Sequence, residues 1–495
     1  MPTARDGRRM GNVTFADRDR LARTQTHAVA LDALAAGIEA AHPARLVADA
    51  VSVADGILRI DGVSSGEPAT YDLDAFDRIS LVGAGKAADG LAAAVVDALA
   101  GTAAVDAGTV VTTEADAAQT VPGVAVRPGD HPLPSERGVA SARRVVDAAE
   151  RAGADDLVLA AITGGGSALL AAPADPLSVA DLRVTTDALL ASGASIDEIN
   201  AVRRHCSAVK GGRLARAAAP ATLATLAVSD VVGDDLATIA SGPTVPDPTT
   251  YADALAALDR HGVTVPDAVA EHLRVGAAGE RPETPAPGDP AFDRATAVVI
   301  GNGRTALDAA AAAAADRGFE PLVLASGVRG EASEAALTHV AVGEECAARG
   351  SPVEPPAVLL SGGETTVTLG EESGSGGPNA EFAASAGVAL AASPSGFDGD
   401  AVVASVDTDG ADGSTDAAGA VTDATTFRPG AAGEPDGSAA DDDAPDLAAA
   451  RAALDRHDVA PLLERAGALL RTGPTGTNVD DLRVVAVGSP AADGG

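Results

Sequence analysis

Lysine, cysteine and tryptophan are nearly missing from this chain. The two cysteines, Cys206 and Cys346, are too few for a disulfide framework. No C-x-x-C or H-x-x-x-H spacing occurs, so a zinc site is not expected. Aromatic residues make up 2% of the sequence, which leaves alanine and valine to fill much of the core. There is no apolar run of about 18 residues and no basic-apolar-small leader, so neither a membrane span nor a secretory signal is expected, and the cytoplasm is the expected compartment. Positive charge is scarce as well: 35 Lys and Arg face 71 Asp and Glu, a net charge of −36 at pH 7. Such a balance argues against nucleic acid or an anionic membrane surface as a partner.

What is present is apolar bulk and small-residue turns. With 46% hydrophobic residues the chain can fill a sizeable core, so the acidity belongs to the surface of a folded protein rather than to disorder. A length of 495 residues exceeds one compact core and implies two domains. An acidic, lysine-poor surface suits a cytosol at high salt, where charge repulsion is screened. A GC-rich coding sequence would also favour arginine and alanine.

Residues 1–23 are polar and mixed in charge and read as a disordered tail, with Met10 as an alternative start to Met1. Residues 28–41 have helical spacing. From there an apolar run, a glycine turn and a helical pattern recur, with strands expected at 78–82, 156–162, 223–228, 296–300, 358–360 and 401–406. This alternation implies an α/β fold built on parallel sheets with right-handed crossovers. The proline-rich segment 281–290 is the expected boundary, dividing an N-terminal domain over 24–284 from a C-terminal domain over 291–488. A low-complexity stretch over 429–445, carrying Asp441-Asp442-Asp443, reads as a solvated acidic insertion.

In open α/β sheets, ligands gather beyond the carboxyl ends of the strands. The turns there include Gly83-Ala84-Gly85-Lys86, Thr163-Gly164-Gly165-Gly166-Ser167, Ser229-Asp230, Ser361-Gly362-Gly363-Glu364 and Asp407-Thr408-Asp409-Gly410. Glycine alone is what any tight strand-to-helix turn needs, but hydroxyl and carboxylate groups are not. Among the basic residues only Lys86 and Lys210 are lysines, and both sit beside glycines. Where arginine has replaced nearly every other cation, a retained lysine marks a place that needs a compact point charge. Two lysines falling near glycines by chance is the plainer alternative. Lys86 is the first candidate for a catalytic residue. It is not part of a P-loop, because Ala87 follows it and Ser80 stands at the first glycine position. The turns at Gly83 and Gly301 fit only a degenerate G-x-G-x-x-A dinucleotide pattern. Ser167 lacks the G-x-S-x-G context of a hydrolase nucleophile. Acidic runs holding Asp230 and Asp235, and Asp407 and Asp409, follow strand ends and suit Mg²⁺ carried with a nucleotide. In so acidic a chain, surface solvation is the competing explanation.

Taken in order, the loops resemble the glycerate 2-kinases of the MOFRL type. The matching stretches are GAGKA (83–87), GDHPLP (129–134), TGGGS (163–167), NAVRRHCSAVKGGR (200–213), SDVVGDDLATIASGPTVPDP (229–248), SGGETT (361–366), GGPNAE (376–381), TDGADGSTD (408–416) and TGPTGTNVDDL (472–482). The resemblance implies phosphorylation of D-glycerate by ATP at the 2-hydroxyl, giving 2-phosphoglycerate, with Mg²⁺ as the divalent cation. It implies two α/β domains, the larger N-terminal one Rossmann-like, with the active site in the cleft between them. The family's lysine corresponds to Lys86. Gly164, Gly165, Gly166, Gly362, Gly363 and Asn379 would cradle the nucleotide. Arg203 and Lys210, seven residues apart on one helical face, would hold glycerate with Asn200 and Ser167. Asp230 or Asp409 would orient the hydroxyl or hold the metal, with Asp235 and Asp407 as metal ligands. Pro378 stands where many members carry an arginine, and Arg304 and Arg471 are the candidates to cover that loss. A homodimer is one candidate assembly.

Two other readings compete. A hydroxypyruvate reductase would act on a substrate two hydrogens poorer than glycerate, and the G-x-G-x-x-A turns lean that way. A non-catalytic sensor of sugar acids would keep the pocket without needing both lysines and both acidic turns.

Overall fold

The computed structural model describes residues 12–64, 66–113, 121–370, 374–393, 400–428 and 445–489. Most of the expected acidic insertion, including 441–443, lies outside them, as does the first part of the expected tail.

The chain divides into two compact units, and not at the prolines. Among the described residues one unit holds 43–302, and the other joins 12–42 to 303–489. The segment 281–290 belongs inside the first unit, where the Pro285 carbonyl accepts from the Asp247 N–H at 2.9 Å and Glu283 accepts from the Tyr251 N–H at 3.1 Å. Proline removes donors, but its carbonyls and its neighbours' side chains still anchor the segment. The tail expected over 1–23 is folded where it is described: Phe15 and Leu21 are buried in one cluster with Leu31, Leu34 and Val484 of the C-terminal unit.

The N-terminal unit is built on six strands in the order Val124–Pro128, Ala107–Thr112, Arg78–Ala84, Asp156–Ile162, Thr222–Val228 and Ala295–Gly301. Every neighbouring pair is parallel. Numbered along the chain the order is 3-2-1-4-5-6, so the direction of winding reverses between Arg78–Ala84 and Asp156–Ile162. In a sheet wound this way a ligand crevice is expected beside the loops that leave those two strands. Asp156–Ile162 is buried at every residue, as a strand covered on both faces must be. A small antiparallel meander, Val51–Ala54, Ile57–Ile60 and Ala69–Asp72, is a second sheet of this unit.

The sheet of the C-terminal unit corrects the expectation of parallel strands throughout. Its order is Glu320–Ala325, Ala357–Gly363, Asp481–Val487, Ala401–Asp407, Gly419–Asp423 and Leu469–Leu470, and only the first pair is parallel. Helix Pro378–Ala392 does return the chain so that Ala401–Asp407 runs in the same direction as Ala357–Gly363. The return lands one position too far, and the last strand fills the gap antiparallel to both neighbours. Helices Gln25–Ala40 and Gly303–Asp316 pack closely in this unit because their contact surfaces are small: a Cβ on Gly37 would lie 2.9 Å from the Ala306 carbonyl oxygen. Among the described residues, no helix is long and apolar enough to cross a membrane.

Candidate active site

The sequence-derived candidates fall into two groups, one per unit. In the N-terminal unit they gather where the sheet order reverses. Gly85, in extended positive-φ backbone, lies so close to Thr163 that no side chain fits between them. The Lys86 N–H donates to the Gly164 carbonyl at 2.8 Å, and the Ala87 N–H donates to Thr163 Oγ1 at 3.1 Å. These bonds join the two crevice loops directly. Gly165 has φ 74°, and a Cβ there would fall 2.9 Å from Lys86 Cγ and 3.2 Å from the ring of His131. The Gly165 N–H donates to Asp230 Oδ2 at 3.2 Å. Burial pushes the Asp230 carboxyl up, while the hydrogen bond from Gly165 and the charge of Lys86 pull it back.

The expectation that Gly164–Ser167 is an anion nest is changed by this. Two of its N–H groups already have acceptors in the protein: Gly165 has Asp230, and Gly166 has the Thr163 carbonyl at 3.2 Å. The loop does receive an anion, but it is the chain's own carboxylate.

Ser167, Asn200 and Lys210 are brought together by a residue that was not singled out, Ser241. Ser241 Oγ donates to Asn200 Oδ1 at 3.0 Å and lies 2.7 Å from Ser167 Oγ. Lys210 Nζ donates to the Ser167 carbonyl at 2.5 Å. Lys210 is buried, and desolvation, then the charges of Arg203 and Arg204, bring its ammonium down to about 7. The helical-face argument for Arg203 and Lys210 does not hold, because helix Ile196–His205 ends before Lys210, which lies in the turn leading to Gly211 and Gly212. The two are neighbours through that turn instead. Desolvation also lowers the half-buried Arg203 guanidinium. The Asp235 carboxylate, expected as a metal ligand, closes its own turn, accepting from the Ala237 N–H at 3.1 Å and the Thr238 hydroxyl at 2.7 Å.

In the C-terminal unit, Asp481 is the centre, and sequence reasoning missed its role. It stands opposite both Gly363 and Asp407, at the carboxyl ends of the two strands that flank it. Gly362 and Gly363 are strand residues rather than a phosphate loop. The Gly362 carbonyl accepts from the Val328 N–H at 2.9 Å, and a Cβ on Gly363 would meet Val328 N at 2.4 Å. Asn379 is buried and fully engaged: Nδ2 donates to Asp481 at 2.7 Å and to Asp412 at 3.2 Å, and Oδ1 accepts from Ser405. It therefore organises this network, with both Nδ2 protons committed inside it. Asp412 also accepts from the N–H groups of Asn379 and Ala380 at 3.0 and 2.7 Å, capping helix Pro378–Ala392 from outside. Burial pushes the Asp412 carboxyl up to about 7. Arg483, buried beneath, pairs with Asp481, donates to Thr365 Oγ1 at 2.9 Å, and stacks 5.3 Å over Phe382.

Pro378 takes the first position of its helix, where a missing N–H does no harm. Neither candidate substitute for the family arginine is a loose cation: Arg304 pairs with Asp308 at 2.7 Å, and Arg471 with Glu464 at 2.5 Å. Asp409 accepts from the Ala411 N–H at 2.9 Å, and Asp407 from the Asp409 N–H at 3.0 Å. Among the described residues, no three His, Cys, Asp or Glu groups converge as a metal cage. In general, Mg²⁺ bound with a nucleotide takes its ligands mainly from phosphate oxygens and water, with one or two protein carboxylates.

The chain is similar to known proteins over most of its length. Residues 29–274 match the family described as a domain of unknown function, DUF4147, and residues 357–481 match the MOFRL family. A glycerate 2-kinase of Pyrococcus horikoshii is 37% identical over 91% of this chain and 95% of its own length. A protein of Agrobacterium vitis named for hydroxypyruvate reductase is 42% identical over 83% of this chain and 87% of its own. The crystal structure of a glycerate kinase from Thermotoga maritima superposes with a TM-score of 0.74 at 32% identity, covering 93% of this chain and 99% of that one.

Proposed function

The chain belongs to the glycerate 2-kinase family with a C-terminal MOFRL domain and is an ATP-dependent sugar-acid kinase, and from that premise we propose that it transfers the γ-phosphoryl group of ATP to the 2-hydroxyl of D-glycerate, giving 2-phosphoglycerate and ADP. The observation that carries this reading is the joining of Lys86, Gly164, Gly165 and Asp230 where the strand order reverses. On this reading the N-terminal sheet is Rossmann-like and the enzyme works in the cytoplasm.

Phosphoryl transfer demands little covalent work from a protein, so positioning and charge stabilisation dominate. Lys86 would neutralise charge growing on the transferred phosphoryl oxygens. Asp230, held by Gly165 in the field of Lys86, would orient the 2-hydroxyl. Arg203 and Lys210 would receive the glycerate carboxylate, and Ser167, with Asn200 behind it, would face a glycerate hydroxyl. Mg²⁺, when bound with ATP, supplies further neutralisation of the phosphates, and Asp230 is the carboxylate of this unit that would hold it. Asp407 and Asp409 remain proposed carboxylates of the C-terminal unit.

The test is ADP release with D-glycerate, followed by conversion of the product with enolase, with and without phosphoglycerate mutase. Product that reaches enolase without the mutase is 2-phosphoglycerate. NAD(P)H oxidation with hydroxypyruvate, and no ADP release with glycerate, would instead support the reductase named for the Agrobacterium relative.

A further inference from the structure

Ala240 and Ser241 stand side by side in left-handed backbone, at φ 51° and 61°. The other described non-glycine residues with positive φ are aspartates and one histidine, which enter that region far more readily than alanine or serine. Strain of this kind survives only where the surroundings over-determine it. Here they do. The Ser241 carbonyl accepts from the Gly211 N–H at 3.0 Å, and the Gly242 carbonyl from the Gly212 N–H at 2.7 Å. Ala240 abuts the glycine loop so closely that a Cβ on Gly166 would lie 2.8 Å from its own. Ser241 is fully buried, and its hydroxyl reaches only toward Asn200 and Ser167.

The direction of these bonds matters. A hydroxyl has one proton, and Ser241 donates it to Asn200 Oδ1. Its oxygen must therefore accept from Ser167, so the Ser167 proton points inward and its lone pairs point away from Ser241. Ser167 then presents an acceptor to whatever lies beside it. Lys210 Nζ, a donor 3.5 Å from that oxygen, already faces those lone pairs. A substrate hydroxyl is a donor and suits this oxygen, whereas a phosphate oxygen does not.

We propose that Ser241 is a positioning residue of the kinase reaction, held in strained backbone so that Ser167 offers a fixed hydrogen-bond acceptor to the hydroxyl-bearing substrate. This rests on the kinase reading given above. Ser241 touches no reactant. It acts through Ser167, and Asn200 acts behind it by fixing the Ser241 proton.

The experiment is a double-mutant cycle on the full chain, Ser167→Ala, Ser241→Ala and both together, with Ser241→Gly as a fourth variant. Ser241→Ala keeps the strain and removes the hydroxyl, while Ser241→Gly removes both and protects against a variant that fails to fold. The expected result is a fall in kcat of about 10–100-fold for both Ser241 variants, by analogy with supporting residues behind other sites. KM for ATP should stay within about threefold, and the double variant should be no slower than Ser167→Ala alone. Additive losses, or wild-type kcat in Ser241→Gly, would overturn the inference, the second by showing that Ser241 only relieves or stores strain. If the wild-type chain releases no ADP with glycerate, the kinase reading fails and takes this inference with it. An active wild type with additive losses overturns the inference alone.

Discussion

The Gly165 N–H donates to the Asp230 carboxylate across 3.2 Å, linking the turn after Asp156–Ile162 to the turn after Thr222–Val228. This contact determines what the crevice can offer. A backbone donor that would otherwise greet a phosphate is turned onto a carboxylate, and Lys86 is left as the group of opposite charge close by. Charge stabilisation at this point therefore depends on a side chain more than on the loop.

Lys86 should consequently not be exchangeable. Lys86→Ala is expected to lower kcat by at least about 10²–10³-fold, the cost of losing one positioned electrostatic group. Lys86→Arg should lose most of the activity as well, since a planar guanidinium fork places its charge and donors differently from a compact ammonium on a thin stem. Thermal melting should change little in either variant. Near-wild-type rates in Lys86→Arg, measured by ADP release, would sink the point-charge argument.

The buried Lys210 gives a pH signature. Its ammonium is lowered from 10.5 to about 7 in the folded state. Between those two values the unfolded chain holds a proton that the folded chain has lost, so stability from this group rises with pH across the window. Below pH 7 both states are charged, and the full penalty of burying the charge applies. Lys210→Met is therefore expected to raise the melting temperature at pH 6, with the gain shrinking toward pH 10, while turnover is lost at every pH. Calorimetry at the two pH values checks the sign; a gain that grows with pH contradicts it.

Asp412 behaves in the opposite sense. Its carboxyl is raised from 3.8 to about 7, so between those values the folded state holds the extra proton and stability from this group falls as pH rises. Asp412→Asn removes the titration and weakens the cap on Asn379 and Ala380, a loss of about 1 kcal/mol. The deficit of the variant should be largest near pH 4–5 and smaller at pH 8, read from denaturant midpoints.

The net charge of −36 predicts a response to salt. Melting temperature should rise steeply between low and molar KCl as repulsion among surface carboxylates is screened. A flat response would remove the saline reading of the composition and leave coding bias as its explanation.

Much of this architecture was legible because it is local. Each of the six strands expected from apolar runs is present, and the glycine turns after 84 and 162 do meet at the crevice. Pairing between distant segments was not legible. Asp481–Val487 follows no helix-return rule: its apolar run says strand, but nothing in it says that it enters between Ala357–Gly363 and Ala401–Asp407. Arg483 looks like a surface residue in sequence, and only the neighbouring Asp481 and Phe382 explain its burial. Asn379 lies in a stretch whose resemblance points to the nucleotide, yet a polar residue in such a stretch serves as a buried hub as readily as a ligand contact. Ser241 offered no sequence signal, because strain at φ 61° is a property of backbone.

The membership of 12–42 in the C-terminal unit has a consequence for the order of assembly. Helix Gln25–Ala40 leaves the ribosome before all of 43–302, yet its partners, Gly303–Asp316 and Asp481–Val487, are made after it. The contacts of the N-terminal unit are complete once its own segment is made, while this helix waits with its apolar face unfilled until the final strand is synthesised. Folding on the ribosome should therefore proceed from the middle of the chain outward, with the earliest segment among the last to be secured.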